Sequence, residues 1–384
     1  MSWISETSFA TGGTMADGEV VGTDVIVTPD FSKGWQEILS AGDDSLEVAD
    51  QVVNLSKLPY GMAFSPVNWV WMKYLMAVTD STDGAVKTHT FAVRNTILSY
   101  KMEWAKRHTT NHVLTLAGNF VKSATLSFSK ATSEGSEGLL NVALECVAKT
   151  STRGSSVTTL TAGNIVSTPF QYHMAKITID DVETVEVNNG EMTIGLGISE
   201  DDSRYCNSTL DVNIGEPIPG VFRVSGRFNV NIKDKTQYDQ WDSGSDIGTT
   251  LTTGTASAGG ATTLTDSGEG WSVDAYAGKN VEITSGTGAG QVRNVISNTS
   301  EILTVNTAWT TNPDATSVYK VVKVCTLLFD RDGTGNDQVL FTFSKFRMHG
   351  AVAPTRLDGV TNVDIVWTAK GFAQLVARDA ITAY

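Results

Sequence analysis

Asn141-Val142-Ala143-Leu144-Glu145-Cys146-Val147-Ala148-Lys149 and Asn362-Val363-Asp364-Ile365-Val366-Trp367-Thr368-Ala369-Lys370 follow one pattern. Apolar and polar residues alternate at period two, the mark of a strand with one covered face. Each stretch follows a turn rich in Gly, Asp and Ser and ends on Ala-Lys. The strand before each also matches, Val113 to Phe120 answering Val339 to Phe346. A chain that repeats itself in this way is expected to have duplicated a small β domain. Pseudo-symmetry within one subunit suits rings and tubes, so the repeat points to assembly before catalysis.

The first repeat extends over 45–150. Ser45 to Asp50 alternates and opens a strand, and Leu98, Tyr100, Met102 and Trp104 alternate with Ser99, Lys101 and Glu103. Between them, Ser65 can cap and Pro66 suits a first helical position. Val67, Val70, Trp71, Tyr74, Leu75 and Val78 follow at helical spacing, which predicts a helix with one apolar face packed on a sheet. The runs Val113–Val121, Thr125–Lys130 and Leu139–Lys149 complete an antiparallel set. The second repeat covers 205–248 and 320–384. It opens with Leu210, Val212 and Ile214, continues with the alternating strand Phe222 to Ile232, and carries a short predicted helix capped by Thr236, with Tyr238 and Trp241 inward.

The two repeats have nearly equal length only when 249–319 is set aside. That stretch, short strands behind a Thr/Ser/Ala/Gly linker, is expected to be an inserted small β domain projecting outward from an exposed loop tip. Residues 151–204 form a connector with a β hairpin, in which Ile177, Ile179, Val185, Val187, Ile194, Leu196 and Ile198 alternate. Residues 1–44 are rich in Gly, Ser, Thr and Asp. They read as an extended arm that orders against a neighbouring subunit, with a frayed terminus as the open alternative.

Composition bounds the function. With 41% apolar residues and nine Trp, the chain can bury more than one core. Against 28 Lys and Arg stand 42 Asp and Glu, a net charge of −14. A protein that grips nucleic acid neutralises phosphates with basic side chains, and no basic stripe is present. An acidic balance is compatible with a surface past which DNA slides without sticking. No apolar run has the length of a membrane span, and Met1 to Glu6 lacks the basic and apolar regions of a secretory signal, so synthesis in a cytosol is expected. Cys146, Cys206 and Cys325 are far apart and odd in number, which argues against a disulfide framework or a zinc cluster; Cys146, inside a strand opposite Trp367 of the repeat, reads as a small buried hydrophobe.

Few motifs carry chemistry. His108 and His112 have HxxxH spacing but lie between strands without a metalloprotease glutamate, which reads as a surface loop. Gly286 to Gln291 has glycines out of place for a dinucleotide fingerprint and reads as a β turn. Asp330, Asp332 and Asp337 begin like a calcium loop, with Gly335 at position six, but Phe341 replaces the closing Glu. They form a calcium candidate whose other reading is a Gly-rich hairpin. Acid pairs such as Asp180-Asp181 read as solvated turn residues. The histidines, at 89, 108, 112, 173 and 349, have no nucleophile partner in sequence, and no catalytic residue or cofactor is assigned.

Leu98 to Trp104, Gly118 to Lys130 with its Ser-Ala-Thr-Leu-Ser-Phe-Ser centre, and Leu139 to Lys149 together resemble the tail tube proteins of long-tailed bacteriophages, in their duplicated form. Val221 to Ile232, Thr236 to Trp241 and Val339 to Lys370 carry the likeness in the second half. The resemblance implies a mainly β chain: two tandem β-sandwich or barrel domains, each with one helix, plus the inserted β module. It implies a non-enzymatic virion protein of a siphovirus tail, made in the host cytoplasm and assembled into stacked rings. A duplicated chain would close a pseudo-hexameric ring with three copies. Implied partners are the tape measure protein and transiting DNA in the lumen, and tail terminator and baseplate proteins at the ends, with no membrane anchoring. The 1–44 arm and the Thr79–Thr90 loop are the candidates for joining successive rings. A virion decoration or receptor-binding protein that uses the inserted module is the alternative, and a virion-associated hydrolase a third class.

Overall fold

Alternating sequence becomes alternating burial in an extended antiparallel sheet. Its strands lie in the order Gly22–Pro29, Leu58–Pro66, Asn141–Ala148, His112–Ser129, Val187–Gly195, Arg223–Ile232, Thr361–Asp379 and Gln338–His349. The computed structural model describes residues 2–7, 10–11, 22–29, 33–39, 48–56, 58–81, 84–106, 111–130, 138–159, 168–184, 187–198, 217–232, 246–349 and 361–384. These are mainly strand, with no helix of seven residues or more.

Two strands are too long for one layer. His112–Ser129 has 18 residues and Thr361–Asp379 has 19. The first half of His112–Ser129 pairs with Tyr100–Lys106 and Thr150–Gly154, and its second half enters the main sheet. Gln338–His349 likewise pairs through its first residues with Thr326–Asp330, which continues to Ala175–Ile179. These smaller sheets face the main one across a shared core. Tyr60 meets Tyr100, and Phe128 packs edge-on to Phe329 at 5.4 Å. Facing sheets of this kind make a sandwich.

One pairing order occurs twice. Gly22–Pro29, Leu58–Pro66, Asn141–Ala148, His112–Ser129 and Tyr100–Lys106 are joined in the same sequence as Val187–Gly195, Arg223–Ile232, Thr361–Asp379, Gln338–His349 and Thr326–Asp330. Cys146 and Trp367 occupy corresponding places, paired with Val121 and Met348. The expected match of Val113–Phe120 to Val339–Phe346 is therefore off by one. A bulge at Lys122 adds a residue to the first half only.

The helix expected from Ser65 to Val78 is not formed. Leu58–Pro66 runs on as strand to Pro66, and Val70–Tyr74 is a five-residue 3-10 turn. Val67, Val70, Trp71, Tyr74 and Leu75 are buried as the spacing suggests and Val78 is half-buried, but Asn68, Trp69, Met72, Lys73 and Met76 between them are buried too. A segment enclosed on all sides has no solvent face, and amphipathic periodicity loses its meaning there. The second expected helix, Thr236 to Trp241, and the strand of Leu210 to Ile214 lie outside the described residues.

The expected extended arm of 1–44 pairs, where described, within its own chain. Ser2–Ser5 lies beside Tyr100–Lys106, Gly22–Pro29 beside Leu58–Pro66, and Lys33–Leu39 beside Val48–Ser56. The Thr79–Thr90 loop is also a hairpin, Ala77–Asp80 with Lys87–Ala92, docked on Thr361–Asp379. Between Thr250 and Val322 the chain builds a separate seven-stranded sheet. That sheet has its own core, centred on Leu264, Trp271, Val281, Ile283, Trp309 and Tyr319.

Candidate functional site

The main sheet buries one face completely and presents the other to solvent across both halves. On the buried side lie Tyr60, Met62, Phe64, Leu144, Leu126, Met192, Phe228, Ile365 and Trp367. The alternate positions form rows across the strands. One row is Ala143, Thr125, Thr193, Ser225, Thr368 and Arg347, and the next is Asn141, Ser127, Glu191, Arg227, Val366 and His349. Hydroxyls and amides dominate, and they bond one another: Thr125 to Thr193 at 3.0 Å, Asn229 Nδ2 to Asp364 at 2.8 Å, and His349 to Thr368 at 2.8 Å. The charges are paired in place. Lys122 meets Glu145 at 3.3 Å, Arg227 meets Glu191 at 3.2 Å, and Arg347 meets Asp246 at 2.8 Å. Such exposed pairs add little stability. Their consequence here is a broad polar wall without a free cationic stripe among the residues of these rows.

In the Asp330–Asp337 loop the carboxylates are occupied by their own hairpin. Asp332 accepts the backbone N–H of Thr334 at 3.0 Å and of Gly335 at 3.1 Å, and Asp330 accepts that of Gly333 at 2.9 Å. The Thr334 hydroxyl leads in holding Asp332 below the usual carboxylate range. Asp337 is bound by Arg331 at 2.6 Å. Arg331 also donates to the Val67 carbonyl at 3.0 Å and lies 4.7 Å over the Phe170 ring, so the loop is stapled to the first half. Among the described residues no three His, Cys, Asp or Glu side chains converge as metal ligands. His108 lies outside the described residues, and His112 is an exposed strand residue opposite Lys106. Gly286, Gly288 and Gly290 all take positive φ in the turn between Asn280–Ser285 and Val292–Asn298. Cys146 is fully buried, and burial pushes its thiol up to about 12, which removes thiolate chemistry.

Two clusters had no signal in the spacing. His89 lies completely buried between Asp80, 2.6 Å from Nδ1, and Asp379, 3.2 Å from Nε2. The Tyr384 ring stacks on it at 3.6 Å, and the Tyr384 hydroxyl bonds Asp379. Burial lowers the His89 pKa, but the two carboxylates outweigh it and the net shift is upward. With both ring nitrogens engaged, this cluster joins the Lys87–Ala92 hairpin to Asp379 and Tyr384. The second cluster corrects the reading of Asp180-Asp181 as solvated. Both take positive φ in a two-residue hairpin turn, as expected for a primed turn. Their carboxylates reach the seven-stranded unit and its entry: Asp181 to Lys279 at 2.8 Å, and Asp180 to the hydroxyl of Thr249, the residue before its first strand, at 2.7 Å. Lys345 to Glu282 at 2.5 Å and Asn280 Nδ2 to the Phe343 carbonyl at 2.9 Å complete a polar joint.

Comparison with known proteins matches residues 6–310 to the family described as phage tail tube protein. No curated protein matches the chain.

Proposed function

The chain belongs to the phage tail tube proteins, and from that premise we propose that its copies close into rings which stack into the hollow tube of a siphovirus tail. The observation that carries this reading is the two-halved sheet with one sealed face and one polar face. Ser, Thr and Asn side chains give DNA and the tape measure protein a wall to slide along, because in the two rows above a polyanion finds Arg227 and Arg347 already paired with carboxylates. The recurring strand order supports a tandem duplication, with Gly22–Pro29 and Val187–Gly195 as the first strand of each half. Three such chains supply six similar units, enough for a pseudo-hexameric ring. The tail terminator and baseplate proteins would meet the ends of the stack.

The unit formed by Thr250–Val322 has its own core and a polar joint to the rest, which supports an inserted domain on the outer surface of the tube. Electron microscopy of the purified protein, intact and with 252–318 deleted, tests both statements. Rings or tubes are expected from each. A protein that stays monomeric at every concentration contradicts the tube reading, and a deletion that abolishes folding contradicts the insertion.

A further inference from the structure

In the first half, the excursion between Leu58–Pro66 and Tyr100–Lys106 leaves its own half. Trp69 packs against Phe329 and Phe341 of the second half, with centroids 6.1 and 6.0 Å apart. Lys87–Ala92 then adds itself to the edge of Thr361–Asp379, from Thr90 opposite Val376 to Lys87 opposite Asp379. Arg223–Ile232 covers that edge only as far as Ala369. The hairpin thus covers the stretch beyond it.

The first half has the same edge. Leu58–Pro66 covers Asn141–Ala148 as far as Ala148, and the chain then continues along Val113–Ala117 as Thr150–Gly154. Among the described residues no strand lies on the other side of Thr150–Gly154. Burial follows the difference. Ser151, Thr152, Arg153 and Gly154 are exposed, whereas Ala373, Leu375, Val376 and Ala377 are buried. An open row of backbone N–H and C=O groups is a template for another strand.

We propose that in the ring this edge is covered by a second copy of the chain, through its excursion between Arg223–Ile232 and Thr326–Asp330. That stretch stands in the second half where 67–99 stands in the first. Within its own chain, the described part of it rests on Asp180, Asp181, Phe343 and Lys345, away from Thr150–Gly154. The first-to-second contact inside a chain would then be repeated as a second-to-first contact between chains, a heterologous contact that closes a ring. Recognition would be mainly through main-chain hydrogen bonds, since Ser151, Thr152 and Gly154 offer short polar side chains or none. The inference rests on the tube reading above.

The test uses Arg153→Cys in a Cys206→Ser background, where Cys146 and Cys325 are buried with thiols pushed up to about 12. The new thiol carries a benzophenone maleimide, and tubes are grown from mixed light and heavy-isotope protein before photolysis. Cross-links joining unlike isotopes, from residue 153 to peptides within 233–325, are expected in tubes and not in dispersed protein. Hydrogen exchange of the unlabelled protein reads the same edge, and the outward amides of 150–154 should slow at least tenfold on assembly. Tubes in which residue 153 links elsewhere, or in which these amides do not slow, overturn the inference and leave the tube role standing. Failure to form any ring or tube overturns both.

Discussion

Tyr60 faces Cys146 across the first half of the sheet, and at the corresponding place in the second half Gly226 faces Trp367. The large side chain has changed strands while the pair keeps one large and one small member. The chemistry around it has changed as well. Tyr60 donates to Asn119 Oδ1 at 2.9 Å and lies 2.8 Å from the Tyr100 hydroxyl, itself 3.3 Å from Cys146 Sγ. Burial pushes both phenols and the thiol upward, so the group stays neutral. Trp367 sits instead among rings, at 5.3 Å from Phe228 and 5.0 Å from Phe343 and Phe346, and its indole N–H has no hydrogen-bond partner among the described residues. Gly226 makes this possible, because a Cβ there would lie 2.4 Å from the indole and 2.1 Å from the Glu191 carbonyl oxygen. Two halves with one strand order therefore constrain the volume of a facing pair more tightly than its polarity.

Trp367→Cys puts the first half's small residue into the second half without its large partner. Nothing on Gly226 can fill the space, so the variant should lose about 3–5 kcal/mol of stability, read from the denaturant midpoint of dispersed protein at unchanged slope. A midpoint within error of wild type would show that the aromatic cluster collapses into the gap. Tyr60→Phe tests the other half and should be milder. It keeps the ring and removes only the phenol that satisfies Asn119 Oδ1, a buried acceptor, at a cost of about 1–3 kcal/mol in the same assay. If Tyr60→Phe were the more damaging of the two, the first half would depend on its polar network more than on packing.

The strands Asn141 to Cys146 and Arg223 to Asn231 are legible because one face is buried and the other is not, whereas Tyr100 to Trp104 alternates in sequence although Glu103 is buried and Trp104 only half-buried. Val67 to Val78 departs from the expected helix for the opposite reason. Its polar residues Asn68 and Lys73 are buried too, so the spacing of the apolar ones carried no information about a face. The bulge at Lys122 is a single residue that interrupts the register with Asn141–Ala148, invisible to pattern, and it displaces the repeat alignment by one. Asp180-Asp181 was legible as a turn, but its lysine partner at 279 became visible only when the chain folded. His89 was beyond reach, since Asp379 stands 290 positions away and a lone His in a strand carries no sign of its ligands.

The two halves differ again at their outer edges, one covered by Lys87–Ala92 and one bearing no further strand among the described residues, and His89 belongs to the covered one. Asp80 on the hairpin, Asp379 on the long strand and the stacked Tyr384 surround its ring. Because the carboxylates raise the His89 pKa above 6.5, the folded chain holds this proton more tightly than the unfolded chain. The resulting stabilisation is complete below the unfolded value and is lost as pH rises through the folded one. Between about pH 6 and about pH 9, the amides of Lys87–Ala92 and of 376–379 should lose protection after correction for intrinsic exchange rates, and those of 113–117 should not. His89→Gln keeps a hydrogen-bonding side chain but cannot titrate in this range, so its protection of the hairpin should be weaker at the lower pH and flat with pH. If wild type and His89→Gln shared one pH profile, the hairpin would be held by its strand pairing and by Trp69 alone, and the charge cluster would be a consequence of docking and no cause of it.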